Sequence, residues 1–285
     1  MKLLRFGEVG FEKPGIEDEG GIRYDVSGFG EDYDENFFES EGVNRLKSWF
    51  AIHKNSCPRV MSSLRLGPPL KRPSKIICVG LNYREHAIES GMKIPKEPIL
   101  FYKATSAICG PNDPLELPKA SVKTDWEVEL AVVIAKKTKY ATPLNAMQNV
   151  AGYLLHNDYS ERAFQLEHGG QWLKGKSSDS FAPSGPFLVT KDEITDPHNL
   201  KMWLDVNGKR MQESSTSDLI FNIPYLIAYI SKYMSLLPGD IISTGTPAGV
   251  GMGLKPPRYL KSGDVVELGI NGLGSSKQKV IAYSD

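Results

Sequence analysis

Cysteine is scarce in this chain: three residues in 285 (Cys57, Cys78 and Cys109), odd in number and without CxxC spacing. That argues against a disulfide framework and fits a reducing, cytoplasmic compartment. An excess of charge is missing too, since 34 Lys and Arg balance 34 Asp and Glu. Nothing therefore points to a nucleic-acid or anionic-membrane partner. No apolar run approaches the ~18–20 residues of a membrane span, and the N-terminus lacks the apolar core of a signal peptide. Internal repeats and low-complexity tracts are absent as well. What is present is ordinary: 40% hydrophobic and 24% charged residues. That composition supports a sizeable core, in one large domain or a main domain with a smaller annex.

Residues 1–68 differ in texture from the rest. Short strand-like pieces, Lys2–Phe6 and Gly21–Val26, alternate with Gly, Pro and acidic residues, and a helical stretch follows near Asn44–Ile52. Pro68, Pro69 and Pro73 then interrupt any helix or ladder, as a linker would. We read 1–68 as a small N-terminal α+β domain without a catalytic constellation, and 69–285 as the catalytic domain.

The most informative stretch is Asp125–Ile134, rich in β-branched and aromatic residues at strand spacing. With a period of two, Trp126, Val128, Leu130 and Val132 share one face, and Glu127, Glu129, Ala131 and Val133 the other. Two carboxylates on one face stand roughly 6.5–7 Å apart at their backbones. Buried together they would drive one another to protonate, unless a hard divalent cation neutralised them. The alternative is a half-buried strand with both Glu in water. Ala131 and Val133, which continue the Glu face, count against it.

Other pieces are weaker alone. Ile76–Leu81 reads as a buried strand leading into a short helix over Asn82–Gly91, stopped by Gly91. On that helix His86 and Glu89 are i,i+3 neighbours, either an ordinary surface pair or a base and its orienting carboxylate. Asn149–His156 is a further apolar strand with Asp158 just past its end, a favourable place for a metal ligand, and Arg162 and Gln165 follow at helical spacing. Lys176 follows Gly175 and is either solvated or placed to stabilise negative charge. Asn207-Gly208 signals a hairpin. Ile223, Leu226, Ile227 and Ile230 give the period of an amphipathic helix. The turn Thr244–Gly251 lets amides approach a bound anion but lacks the Lys and spacing of a P-loop.

Taken in order, Val79-Gly80-Leu81-Asn82-Tyr83 with His86 and Glu89, Glu127-Val128-Glu129, Asp158 with Arg162 and Gln165, Gly175-Lys176-Ser177, and Pro238–Pro247 resemble the fumarylacetoacetate hydrolase family over about residues 74–283. The resemblance implies a mixed, mainly β fold of the family's own sandwich-roll type, with peripheral helices and usually a homodimer. It implies Mg²⁺, with Mn²⁺ or Ca²⁺ as variants, held by Glu127, Glu129 and Asp158. An all-carboxylate set suits a hard ion and argues against zinc. It implies a helical lid bearing the His86–Glu89 dyad, with Lys176 stabilising charge and Arg162, Gln165, Gly245 and Thr246 contacting substrate. The activity implied is hydrolysis of a carbon–carbon bond in an acylpyruvate (2,4-dioxo acid), His86 activating the water. The same site chemistry also serves oxaloacetate decarboxylases and 2-oxo acid isomerases. The N-terminal residues Met1–Gly7, Glu12–Gly15 and Asp25–Gly28 are similar to family members that hydrolyse 2,4-diketo-3-deoxy-L-fuconate in sugar-acid breakdown. Ureidoglycolate lyases and dienedioate isomerases are related to those members.

Overall fold

A computed structural model describes residues 1–284 and is mainly β. Its frame is a ten-stranded sheet. The order is Arg23–Asp25, Lys13–Glu17, Lys2–Phe6, Leu188–Thr190, Val150–Asn157, Val128–Ile134, Ile241–Ser243, Ile76–Gly80 and Ile99–Lys103, with Leu66–Gly67 also on Lys2–Phe6. All neighbours are antiparallel except Ile241–Ser243 with Ile76–Gly80. A second, five-stranded sheet runs Lys209–Ser215, Lys201–Val206, Val265–Ile270, Gly274–Ile281 and Leu115–Glu116. It packs against the first through contacts of Lys201–Val206 and Val265–Ile270 with Val128–Ile134. Between them lies one apolar cluster that extends from Leu3 and Phe37 to Val280.

The central strand, Val128–Ile134, is buried at every position. Its composition explains this: Val-Glu-Leu-Ala-Val-Val-Ile is apolar on both faces after Glu129, as in strands covered on both sides. The expected continuous strand from Asp125 is broken. Thr124–Asp125 pairs with Ser160–Glu161, while Val128–Ile134 pairs with Val150–Asn157. Trp126 and Glu127 form the joint. There the Glu127 amide donates to Asn157 Oδ1 at 2.9 Å, and the Asp158 amide donates to the Glu127 carbonyl at 2.9 Å.

The N-terminal strands extend this same sheet, because Lys2–Phe6 pairs with Leu188–Thr190 across the position-68 boundary. The helix Gly42–His53 and the shorter Glu35–Glu39 flank them. The Asn207-Gly208 turn joins Lys201–Val206 to Lys209–Ser215, both residues having positive φ (53° and 73°) as a two-residue hairpin needs. Ile223–Tyr233 is the amphipathic helix, capped by the Asn222 side chain and burying Ile223, Leu226, Ile227 and Ile230.

Candidate active site and metal centre

Three backbone features bring Glu127, Glu129 and Asp158 together. Glu129 is the second residue of the central strand, and Glu127 sits at the joint before it. The register that places Val128 opposite Asn157 sets Asp158 beside Glu127. One oxygen of each carboxylate lies within 4.8 Å of the others. Their exposures are 4%, 2% and 0%, so the reading of two Glu in water does not hold.

Cations surround two of the three. Lys176 Nζ donates to Glu127 Oε2 at 2.7 Å and Asp158 Oδ2 at 2.8 Å. Arg162 donates to Glu127 Oε1 at 2.6 Å, to Asp125 Oδ2 at 2.9 Å and to Gln165 Oε1 at 3.1 Å. Lys103 donates to the other Asp158 oxygen at 2.5 Å. Burial alone would raise Glu127, but Lys176 and then Arg162 outweigh it and hold its carboxyl below the ordinary value. Burial likewise opposes ionisation of Asp158, and Lys103 and Lys176 overcome it. Glu129 differs. It accepts from the Ser243 hydroxyl at 2.6 Å and the Gly245 amide at 2.9 Å but forms no ion pair among the described residues. Burial, then Asp158 and Glu127, push its carboxyl well above the usual range.

His86 and Glu89 lie on the helix Arg84–Glu89, which faces this cluster across a cavity. The Asn82 side chain holds the start of that helix, donating to the carbonyls of Thr244 (2.7 Å) and Phe221 (3.0 Å). His86 is buried, and its Nδ1 is 3.6 Å from Glu89 Oε2, outside hydrogen-bond range. Both oxygens of Glu89 accept from the Gly249 amide at 3.0 Å.

The glycine-rich turn thus meets anions that belong to the protein. Gly245 donates to Glu129, Gly249 to Glu89, and Gly251 (2.6 Å) and Met252 (3.0 Å) to Asp125. Close approach requires glycine here, since a Cβ at Gly249, whose φ is +101°, would stand 1.9 Å from the Met211 carbonyl oxygen.

The cavity has a volume of about 310 Å³. Its polar wall includes His86, Glu127, Glu129, Arg162, Lys176 and Thr246; Leu81, Met92, Phe101, Leu166, Trp172 and Met252 form much of the remainder. Gln165 lines it as well, whereas Gly245 stands behind Glu129 and is not among the lining residues. The Thr246 hydroxyl donates to the Val128 carbonyl (3.0 Å) and accepts from Gln212 (2.8 Å).

Residues 75–281 match the family described as fumarylacetoacetate (FAA) hydrolase, C-terminal. The chain belongs to the fumarylacetoacetate hydrolase family. A protein of Burkholderia multivorans with a provisional hydrolase name is 51% identical over 279 residues, covering 98% of each chain. Among solved structures, the fumarylacetoacetate hydrolase of Exiguobacterium antarcticum is 35% identical, with 99% of this chain and 100% of that one covered and a TM-score of 0.84. The maleylpyruvate hydrolase of Sphingobium sp. SYK-6, in complex with manganese(II) and pyruvate, is 29% identical over 100% of both chains, with a TM-score of 0.83. The mainly β architecture is accordingly that of this family, and the chain is an enzyme of a group that acts on small molecules.

Within this fumarylacetoacetate hydrolase family fold, several site residues escaped the sequence reading. Lys103 closes the strand Ile99–Lys103 and points to Asp158; a lysine at the inner end of an apolar strand was its only signal. Asp125 continues the two-residue period of Glu127 and Glu129, which could have flagged it. Phe101 and Trp172 carry no local signal, because they meet only in three dimensions.

Proposed function

We propose that this enzyme hydrolyses the carbon–carbon bond of acylpyruvates, with a divalent cation, Mg²⁺ in the first instance, held by Glu127, Glu129 and Asp158. One observation carries the reading: Glu127 and Glu129, two members of a buried three-carboxylate cluster completed by Asp158, line one cavity with the imidazole of His86. The donors suit such an ion, since all are oxygen and Glu129, whose burial beside Asp158 and Glu127 favours its protonated form, can exchange that proton for a cation. The manganese(II) and pyruvate of the maleylpyruvate hydrolase relative support the same assignment. A cation there supplies Lewis-acid polarisation of the 2-oxo acid.

The chain's own groups do the rest. His86 removes a proton from water, whose oxygen adds to the 4-oxo carbon. The C3–C4 bond then breaks, its electron pair stays with the pyruvate fragment, and the proton on His86 returns to C3. The products are pyruvate and a carboxylic acid. Glu89, fixed by the Gly249 amide, orients the imidazole; the 3.6 Å gap is one that substrate binding closes. Lys176, whose ammonium is kept charged by Asp158 and Glu127 against the pull of burial, lends positive charge to the departing fragment. Arg162 and Gln165 complete that end of the wall. The working form is a cytoplasmic homodimer, and the reading extends to deoxy sugar acids such as 2,4-diketo-3-deoxy-L-fuconate. The gap between His86 and Glu89 is also what an oxaloacetate decarboxylase would tolerate, because its bond breaking needs no activated water.

The deciding experiment follows both reactions in the parent and in His86→Ala at saturating Mg²⁺. Hydrolysis of a 2,4-dioxo acid is expected to fall by about 10²–10⁴-fold in the variant, with Mg²⁺ binding retained and decarboxylation less affected. A parent that turns over oxaloacetate well and no 2,4-dioxo acid would establish the decarboxylase instead.

A further inference from the structure

Two buried polar atoms on the cavity wall have no hydrogen-bond partner: His86 Nδ1 and Ser90 Oγ. The first belongs to the acid–base pair already described. The second has no role so far. Ser90 ends the Arg84–Glu89 helix, and its amide donates to the His86 carbonyl at 3.1 Å. Four residues apart, the two side chains lie on one helix face. A serine at such a position commonly turns its hydroxyl back to the carbonyl four residues earlier. Here the Ser90 hydroxyl makes no hydrogen bond among the described residues. A hydroxyl withdrawn from water and left unpaired is unfavourable until something pairs with it.

The other polar groups on this wall are engaged. The Thr246 hydroxyl bonds Val128 and Gln212, Gln165 accepts from Arg162, Arg162 and Lys176 both donate to Glu127, and Glu129 accepts from Ser243 and the Gly245 amide. Around them the wall is apolar. The Trp172 ring lies over Gly80, where a Cβ would come within 2.7 Å of it, and meets Phe101 edge-on at 5.2 Å between centroids. Met92, Leu166 and Met252 continue this surface.

We propose that Ser90 is a specificity-determining residue that reads a single hydroxyl on the acyl end of the substrate. The apolar wall takes that group's carbon skeleton. This rests on the acylpyruvate reading and narrows it to short acyl chains bearing one hydroxyl. A polyhydroxylated chain is disfavoured, because its further hydroxyls would face Met92, Phe101, Leu166 and Trp172 without partners.

The test compares 2,4-dioxo acids of matched length whose acyl group carries no hydroxyl, one, or several. Each is assayed and titrated calorimetrically with the Mg²⁺-loaded parent, Ser90→Ala and Ser90→Thr. The parent should favour the monohydroxylated compound about tenfold over its alkyl counterpart. Ser90→Ala should abolish that ratio through KM and binding, and Ser90→Thr, which keeps the hydroxyl, should restore it. Equal handling of the two compounds by the parent, or an unchanged ratio in Ser90→Ala, overturns the assignment. If no compound is cleaved, the hydrolase reading fails, and the binding ratios still decide the role of Ser90.

Discussion

Two ion-pair networks in this protein use the same residue types to different ends. In the first, Arg5 pairs with Asp32 at 2.9 Å and Glu12 at 3.8 Å, Arg65 with Glu12 at 2.9 Å and Asp113 at 2.7 Å, and Lys71 approaches Asp32 at 4.0 Å. Each carboxylate there has a cation, and the Arg65–Asp113 pair ties the N-terminal segment to the remainder. The second joins Asp125, Glu127 and Asp158 to Lys103, Arg162 and Lys176, with Glu129 beside them. Of these four carboxyl groups, Glu129 is the one without an ion-pair partner among the described residues. None of the first network lines the cavity, whereas Glu127, Glu129, Arg162 and Lys176 do. A balanced network holds a structure together. One with an unpaired carboxyl opening on a cavity can exchange that carboxyl's proton for a cation.

The sharpest way to break this contrast is Glu129→Gln. Divalent-cation affinity, measured by calorimetry, should fall by more than the roughly 10–100-fold that loss of a supporting group costs. Metal-free stability should be kept, because Gln mimics the protonated carboxyl. Affinity equal to the parent would remove Glu129 from the proposed metal site.

The next effect belongs to the balanced network. Asp32→Asn takes the close negative charge and one acceptor oxygen from the buried Arg5, leaving it one amide oxygen, the longer approach to Glu12 and the Glu12 carbonyl. Chemical denaturation should show a loss of about 2–3 kcal/mol, somewhat under the cost of breaking a wholly buried pair, with cation affinity unchanged. A drop in affinity instead would mean that the two networks are coupled.

The smallest effect is a slope with pH in the metal-free protein. Glu127 and Asp158 are held below their ordinary values, so their stabilisation is present above the unfolded carboxylate range near about 4 and fades as pH falls. Glu129 is raised, so its contribution is complete below that range and is lost as pH climbs toward its folded value. Thermal midpoints should therefore decline in the parent as pH rises above that range toward the folded value of Glu129, and stay level in Glu129→Gln. Added Mg²⁺ should also flatten the parent's decline, since the cation takes the place of the Glu129 proton. An identical decline in both proteins would assign it to other groups.

Much of this site was legible locally. The Glu-Val-Glu period, Asp158 past a strand end, the short helix with His86 and Glu89, and the Asn207-Gly208 hairpin all follow from spacing over a few residues. Local backbone geometry fixes which neighbours share a face, so such features survive whatever the rest of the chain does. Tertiary structure decided the partners. Lys103 reaches Asp158 across 55 residues and Ser243 reaches Glu129 across 114, separations at which no periodicity operates. The same long-range packing turned the amides of the glycine-rich turn toward Glu129, Glu89 and Asp125. It also left Glu129 as the carboxylate without a cation, because charge balance in a buried cluster depends on every group folded into it rather than on the strand that carries one of them.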